Sequence, residues 1–98
     1  MLIMDNKQLY IEAIKKWGIE SHLFTSIAKL AELQQAISKH YKYGIVYGKE
    51  NVIESIAGVE IALEQLKLIL SDNTPDLDNR IKKIKLEKLE RLERMLGY

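Results

Sequence analysis

The sequence predicts an all-α protein, and three observations carry that prediction. It holds one proline and is rich in Leu, Ile, Ala, Glu and Lys, residues that lose little on entering a helix. Its apolar residues recur every three to four positions instead of alternating. Its breaks, at Gly18, around Gly44 and Gly48, and at Ser71-Asp-Asn-Thr-Pro75, divide the chain into four such stretches.

The first helix is expected from Asp5 or Asn6, good N-cap residues, to Gly18, with Leu9, Ala13, Ile14 and Trp17, and less well placed Ile11, as a rough apolar stripe. The second begins near Ser21 and runs through Leu23, Ile27, Leu30, Ala31, Leu33 and Ile37 to about Tyr41. The segment Tyr41-Lys-Tyr-Gly-Ile-Val-Tyr-Gly48, with two glycines and three tyrosines, reads as a loop, with a short hairpin as the alternative. A third helix, from about Lys49 to Leu70, places Val52, Ile56, Val59, Leu63, Leu66 and Leu70 on a heptad-like seam that needs a partner helix. Thr74 or Asp72 is expected to cap the last helix, with Pro75 in its first turn. That helix runs from about Asp76 to Leu96, with Ile81, Ile84, Leu89, Leu92 and Leu96 inward and interleaved acids and bases outward.

At 98 residues the chain makes one domain, 1–98, with a limited core of its own. Fifteen basic and fourteen acidic side chains leave a net charge of +1, so the broad positive field of a nucleic-acid binder is missing. The acids interleaved along the last helix also argue against a nucleic-acid partner. The absence of cysteine excludes disulfides, thiol nucleophiles and cysteine zinc sites. The apolar Met1-Leu-Ile-Met stretch meets Asp5 too soon for a signal peptide or membrane span. A cytoplasmic protein with no membrane partner is expected.

Two stretches carry a family resemblance. Lys16-Trp-Gly-Ile-Glu-Ser-His-Leu-Phe-Thr-Ser-Ile-Ala-Lys-Leu-Ala-Glu-Leu-Gln-Gln-Ala-Ile37 and Glu50-Asn-Val-Ile-Glu-Ser-Ile-Ala-Gly-Val-Glu-Ile-Ala-Leu-Glu-Gln-Leu-Lys67 resemble the two halves of MazG-like nucleotide pyrophosphohydrolases. Lys85-Leu-Glu-Lys-Leu-Glu-Arg-Leu92 is similar to their closing helix. The resemblance implies a four-helix protomer in an oligomeric bundle, a homodimer or homotetramer. It also implies magnesium-dependent cleavage of nucleoside triphosphates, driven by Glu-Glu-x-x-Glu on one helix and Glu-x-x-Asp on the next. Carboxylates at that spacing suit magnesium, which takes oxygen ligands in octahedral geometry.

Here the first motif falls on Ala28-Lys29-Leu30-Ala31-Glu32 and the second on Ser55-Ile56-Ala57-Gly58, so of the implied carboxylates only Glu32 remains. A slipped alignment does not restore them. At about 100° per residue, Glu54 lies about 100° and Glu60 about 140° from Ser55 around the helix. Glu50 and Glu64 are too far along it to share a site with Gly58. No catalytic residue, no metal ligand and no cofactor is therefore assigned; magnesium would enter only if hydrolysis were retained.

The candidate ligand-binding residues are Lys29, Glu32, Ser55, Gly58 and Trp17. Lys29 reads as a solvated lysine, as the ion-pair partner of Glu32 one turn on, or as a cation that replaces the metal and holds phosphate oxygens. Ser55 and Gly58, with Ala62, form a small-residue strip that admits a close helix or makes a notch for a ligand. Trp17 is a core residue or a platform for a base. His22 and His40 lack a carboxylate-rich partner set and are not read as metal ligands. Tyr41, Tyr43 and Tyr47, with Lys39, Lys42 and Lys49, make a loop that would serve as surface or as a contact.

The expected function is that of a catalytically degenerate MazG-like protein that binds a nucleotide or other phosphorylated small molecule without hydrolysis. Sequestering a signalling nucleotide, as some phage counter-defence proteins do, fits a stripped hydrolase by analogy. The alternatives are a structural or regulatory helical module for a protein partner, and a divergent magnesium-dependent pyrophosphohydrolase.

Overall fold

Asp5 opens α1 (Asn6–Trp17), its carboxylate accepting the backbone N–H of Gln8 at 2.8 Å. Gly18 closes it with φ 87, a left-handed backbone that suits glycine, its N–H donating to the Ile14 carbonyl. A computed structural model describes the backbone of residues 1–43 and 45–98, and their side chains except 43 and 45–47. It is all-helical, with α2 (Ile19–Tyr43), α3 (Ile45–Ser71) and α4 (Leu77–Met95) following α1.

Two expectations are corrected here. The stretch from Tyr41 to Gly48 was read as a loop, yet α2 continues through Tyr43 and α3 starts at Ile45. Gly44, and the side chains of Tyr43 and Tyr47, lie outside the described residues. Gly48 works as a point of close approach and not as a helix breaker: a Cβ there would overlap the backbone Cα of His40. The cap expected of Thr74 or Asp72 is also absent. Asp76 stands at the N-cap position of α4 with φ 58, and Pro75 precedes it in the turn. From that left-handed geometry the Asp76 carboxylate bonds no backbone amide and accepts instead from Nδ2 of Asn79 at 2.7 Å.

Helices α2 and α3 form an antiparallel hairpin, with Gly48 beside His40, Gly58 beside Lys29 and Gln65 near His22. The seam that α2 offers to α3 is the row His22, Ser26, Lys29, Leu33, Ala36 and His40, each buried or half-buried. Facing it, Val59 and Ala62 are buried and Val52, Ser55, Gly58, Leu66 and Ile69 half-buried. Small and polar residues thus alternate with Leu33, Val52, Val59, Leu66 and Ile69 along the seam, and within α2 the Nε2 of His22 and the hydroxyl of Ser26 share a buried hydrogen bond of 3.1 Å.

The large apolar residues expected inward lie elsewhere. Leu23, Ile27, Leu30 and Ile37 of α2 are exposed, as are Ile56, Leu63 and Leu70, every second member of the expected α3 seam. On α4 only Leu77 and Ile81 are half-buried, whereas Ile84, Leu89, Leu92 and Leu96 are exposed. Among the described residues no large side chain is fully buried. The reason is that α4 touches α3 alone and leaves it after about one turn of contact, so nothing covers the rest of either stripe. The radius of gyration is 16.7 Å, against about 13 Å for a compact chain of this length.

The hairpin therefore has two unlike faces. On one, α1 lies across α2 and α3, with Tyr10 donating a hydrogen bond to the Glu64 carboxylate. On the other, the exposed rows of α2 and α3 run side by side. Each lies roughly 100° around its helix from the seam, and antiparallel helices turn in opposite senses, so both rows emerge on the same side.

Candidate functional site

The site grows from the seam. Lys29 and Ala36 lie on the α2 side of it, and Glu32 and Lys39 follow at spacings of three and four, which carries them onto one rim. Asn51, Glu54, Ser55 and Gly58 do the same on α3, and between the two rims runs a cleft of about 250 Å³. It opens on the face that also carries α1.

Four of the five candidate residues, Lys29, Glu32, Ser55 and Gly58, line this one cleft. The Lys29 stem crosses α3 at Gly58, where a glycine Cβ would lie 3.4 Å from Lys29 Cδ. Its ammonium reaches Glu32 at 3.6 Å, an ion pair with both partners partly exposed. Salt and solvent screen such a pair, so its contribution to stability is small. The expected notch over Gly58 is thus filled by the Lys29 stem, which seats the charge at the cleft.

Trp17 is not brought there. It stands 64% exposed at the end of α1, beside a separate groove with Ser21, His22, Thr25 and Gln65. The Lys16 ammonium lies 5.3 Å from the centre of its ring.

The sequence reading missed Gln35, Asn51 and Glu54, and grouped Lys39 with the tyrosine loop, whereas it stands on α2 and lines the cleft. Glu54 corrects the helical-wheel argument: although it is about 100° from Ser55, it lines the same cleft. A cleft between two helices gathers residues from the flanks of the seam, so an angle measured from one lining residue excludes too much. The signal was present in the spacings 29, 32, 36, 39 and 51, 54/55, 58.

The cleft balances two ammonium groups, Lys29 and Lys39, against two carboxylates, Glu32 and Glu54. This donor set does not fit magnesium as the resemblance would have it. Glu32 is already paired with a lysine, and among the described residues no group of three or more His, Cys, Asp or Glu is placed to hold a metal ion. What the arrangement offers is a pair of mobile cationic donors next to amide and hydroxyl groups, suited to phosphate oxygens or carboxylates.

Elsewhere, the hydrogen bond to Glu64 raises the Tyr10 hydroxyl above its ordinary value of 10.0, with burial and the Glu64 charge adding to the effect. Glu64 is therefore engaged in holding α1 and lies outside the cleft. No helix of the described residues is long and apolar enough to cross a membrane. Comparisons of the chain with family models, with curated proteins and with solved structures find no match.

Proposed function

We propose that the chain is a MazG-like, cytoplasmic, homo-oligomeric helical protein that holds a nucleotide or other phosphorylated small molecule without cleaving it. One observation carries the reading: Lys29, seated across Gly58 and reaching Glu32, shares a two-helix cleft with Lys39, Asn51 and Ser55. On this reading the lysines take phosphate oxygens, Asn51 and Ser55 add neutral hydrogen bonds, and no group activates a water for attack on phosphorus. Sequestration of a signalling nucleotide is the role that suits such a site.

Calorimetric titration with nucleoside mono-, di- and triphosphates, with magnesium and with chelator, tests it. Binding is expected to survive chelator and to weaken as salt rises. Lys29→Met, which keeps the apolar stem and removes the charge, should weaken binding roughly ten- to a hundredfold, the loss of one charge-assisted hydrogen bond. Glu32→Gln should be milder or improve binding. No pyrophosphate release is expected; turnover abolished by Glu32→Gln would establish the divergent-hydrolase alternative. The alternative of a protein-interaction module draws support from the exposed apolar rows on α2, α3 and α4. A panel without any ligand would favour it.

A further inference from the structure

The protomer exposes 8484 Å², whereas a compact protein of 11.4 kDa exposes about 5,800 Å². Permanent homodimers bury on the order of 1,000–2,500 Å² from each partner, so a partner surface at the upper end of that range absorbs most of the surplus of about 2,700 Å². The excess coincides with the bare side of the hairpin, where Leu23, Ile27, Leu30 and Ile37 run beside Ile56, Leu63 and Leu70. It continues along α4, because Ile81 shares a groove with Leu63, Leu66 and Leu70 and the exposed Leu89 and Leu92 follow it.

The geometry points to a second copy of this chain as the occupant, hairpin face against hairpin face, with each α4 reaching over the partner. This names the interface of the self-association proposed above and is independent of the ligand. Two apolar helices on one side of a hairpin, doubled about a two-fold axis, make a four-helix bundle with every apolar row inside. A net charge of +1 sets up little repulsion between copies, and the mixed acids and bases flanking the α4 stripe can pair across an axis. Gln34, exposed between Leu30 and Ile37, is the polar interruption that fixes register in such a bundle. The cleft around Lys29 lies on the opposite face of the hairpin and stays open.

Light scattering at micromolar concentration should give twice 11.4 kDa for the parent. Ile27→Glu with Leu30→Glu, and separately Leu89→Glu with Leu92→Glu, should each raise the dissociation constant roughly a hundredfold or more, because both copies then bury unpaired carboxylates. Ile61→Glu is the control: Ile61 is 51% exposed, close to the 50% of Leu30, but it lies beside Leu9 and Ala13 of α1, on the other side of the hairpin. The chain has no cysteine, so Ile27→Cys and Ile61→Cys place unique thiols, of which only the first should resist maleimide in the intact dimer. That measurement decides the matter if the charged variants unfold. A monomeric parent overturns self-association itself. A dimeric parent that keeps its affinity in either double variant, or a freely reactive Ile27→Cys, overturns this interface.

Discussion

The seam inside the hairpin and the bare face beside it use opposite chemistry. Inside, alanine, glycine, serine and histidine let two long helices approach closely: Ala36, Val59 and Ala62 are buried with little bulk, and the larger Leu33, Leu66 and Ile69 are only half-buried among them. Outside, leucine and isoleucine stand in rows with no covering element in their own chain. Hydrophobicity alone would have reversed the two. Close approach gains many dispersion contacts along the backbones and needs small residues, whereas large apolar side chains gain most where a whole second surface can cover them.

The sharpest way to break this contrast is Gly48→Ala. A methyl group there meets the His40 backbone, which cannot move aside as a side chain would. Forcing the helices apart should cost about 3 kcal/mol, at the high end of overpacking, seen as a large fall in thermal midpoint by circular dichroism. A variant as stable as the parent would show that close packing does not hold the hairpin.

A smaller effect is expected at the face that α1 covers. Tyr10→Phe removes the hydrogen bond to Glu64 and should cost about 1 kcal/mol in denaturant unfolding. The bond raises the hydroxyl above 10.0, so the folded state holds that proton more tightly than the unfolded chain. Its contribution is complete below pH 10 and is lost as pH rises through the raised folded value. The gap between parent and Tyr10→Phe should therefore shrink in strong alkali, and a gap unchanged there would refute the assignment.

Gly58→Ala should have the smallest effect and the opposite sign. Its methyl group would meet only the flexible Lys29 stem at ordinary contact distance, while the helix gains up to about 1 kcal/mol in propensity. A rise in thermal midpoint would set Gly58 apart from Gly48 as a seat for Lys29 and not a point of backbone contact. Destabilisation would mean that both glycines serve close approach.

Helix identity was legible because it is local. Asp5 and Gly18 bound α1 through their own caps, and the Ser71–Pro75 break separates α3 from α4 at the expected place. The error at Tyr41–Gly48 came from reading glycine by its usual local effect, when at position 48 its missing Cβ serves a neighbouring helix. The cleft was half legible. Lys29, Glu32, Ser55 and Gly58 lie on one surface, but Lys39, Asn51 and Glu54 join them only because two antiparallel helices bring both flanks of the seam together.

The sequence by itself determined that the chain is helical, how α1 is capped, where α3 breaks from α4, and which residues share a helix face, because periodicity and capping depend on neighbours within a turn or two. Only the tertiary structure decided which face meets which. It turned the small, polar row of α2 toward α3, took Glu64 for Tyr10, left Trp17 apart from the cleft and set the leucine rows outside. A stripe records that a residue wants cover but carries no label for what supplies it; that depends on how closely two backbones can approach, a property of both helices at once.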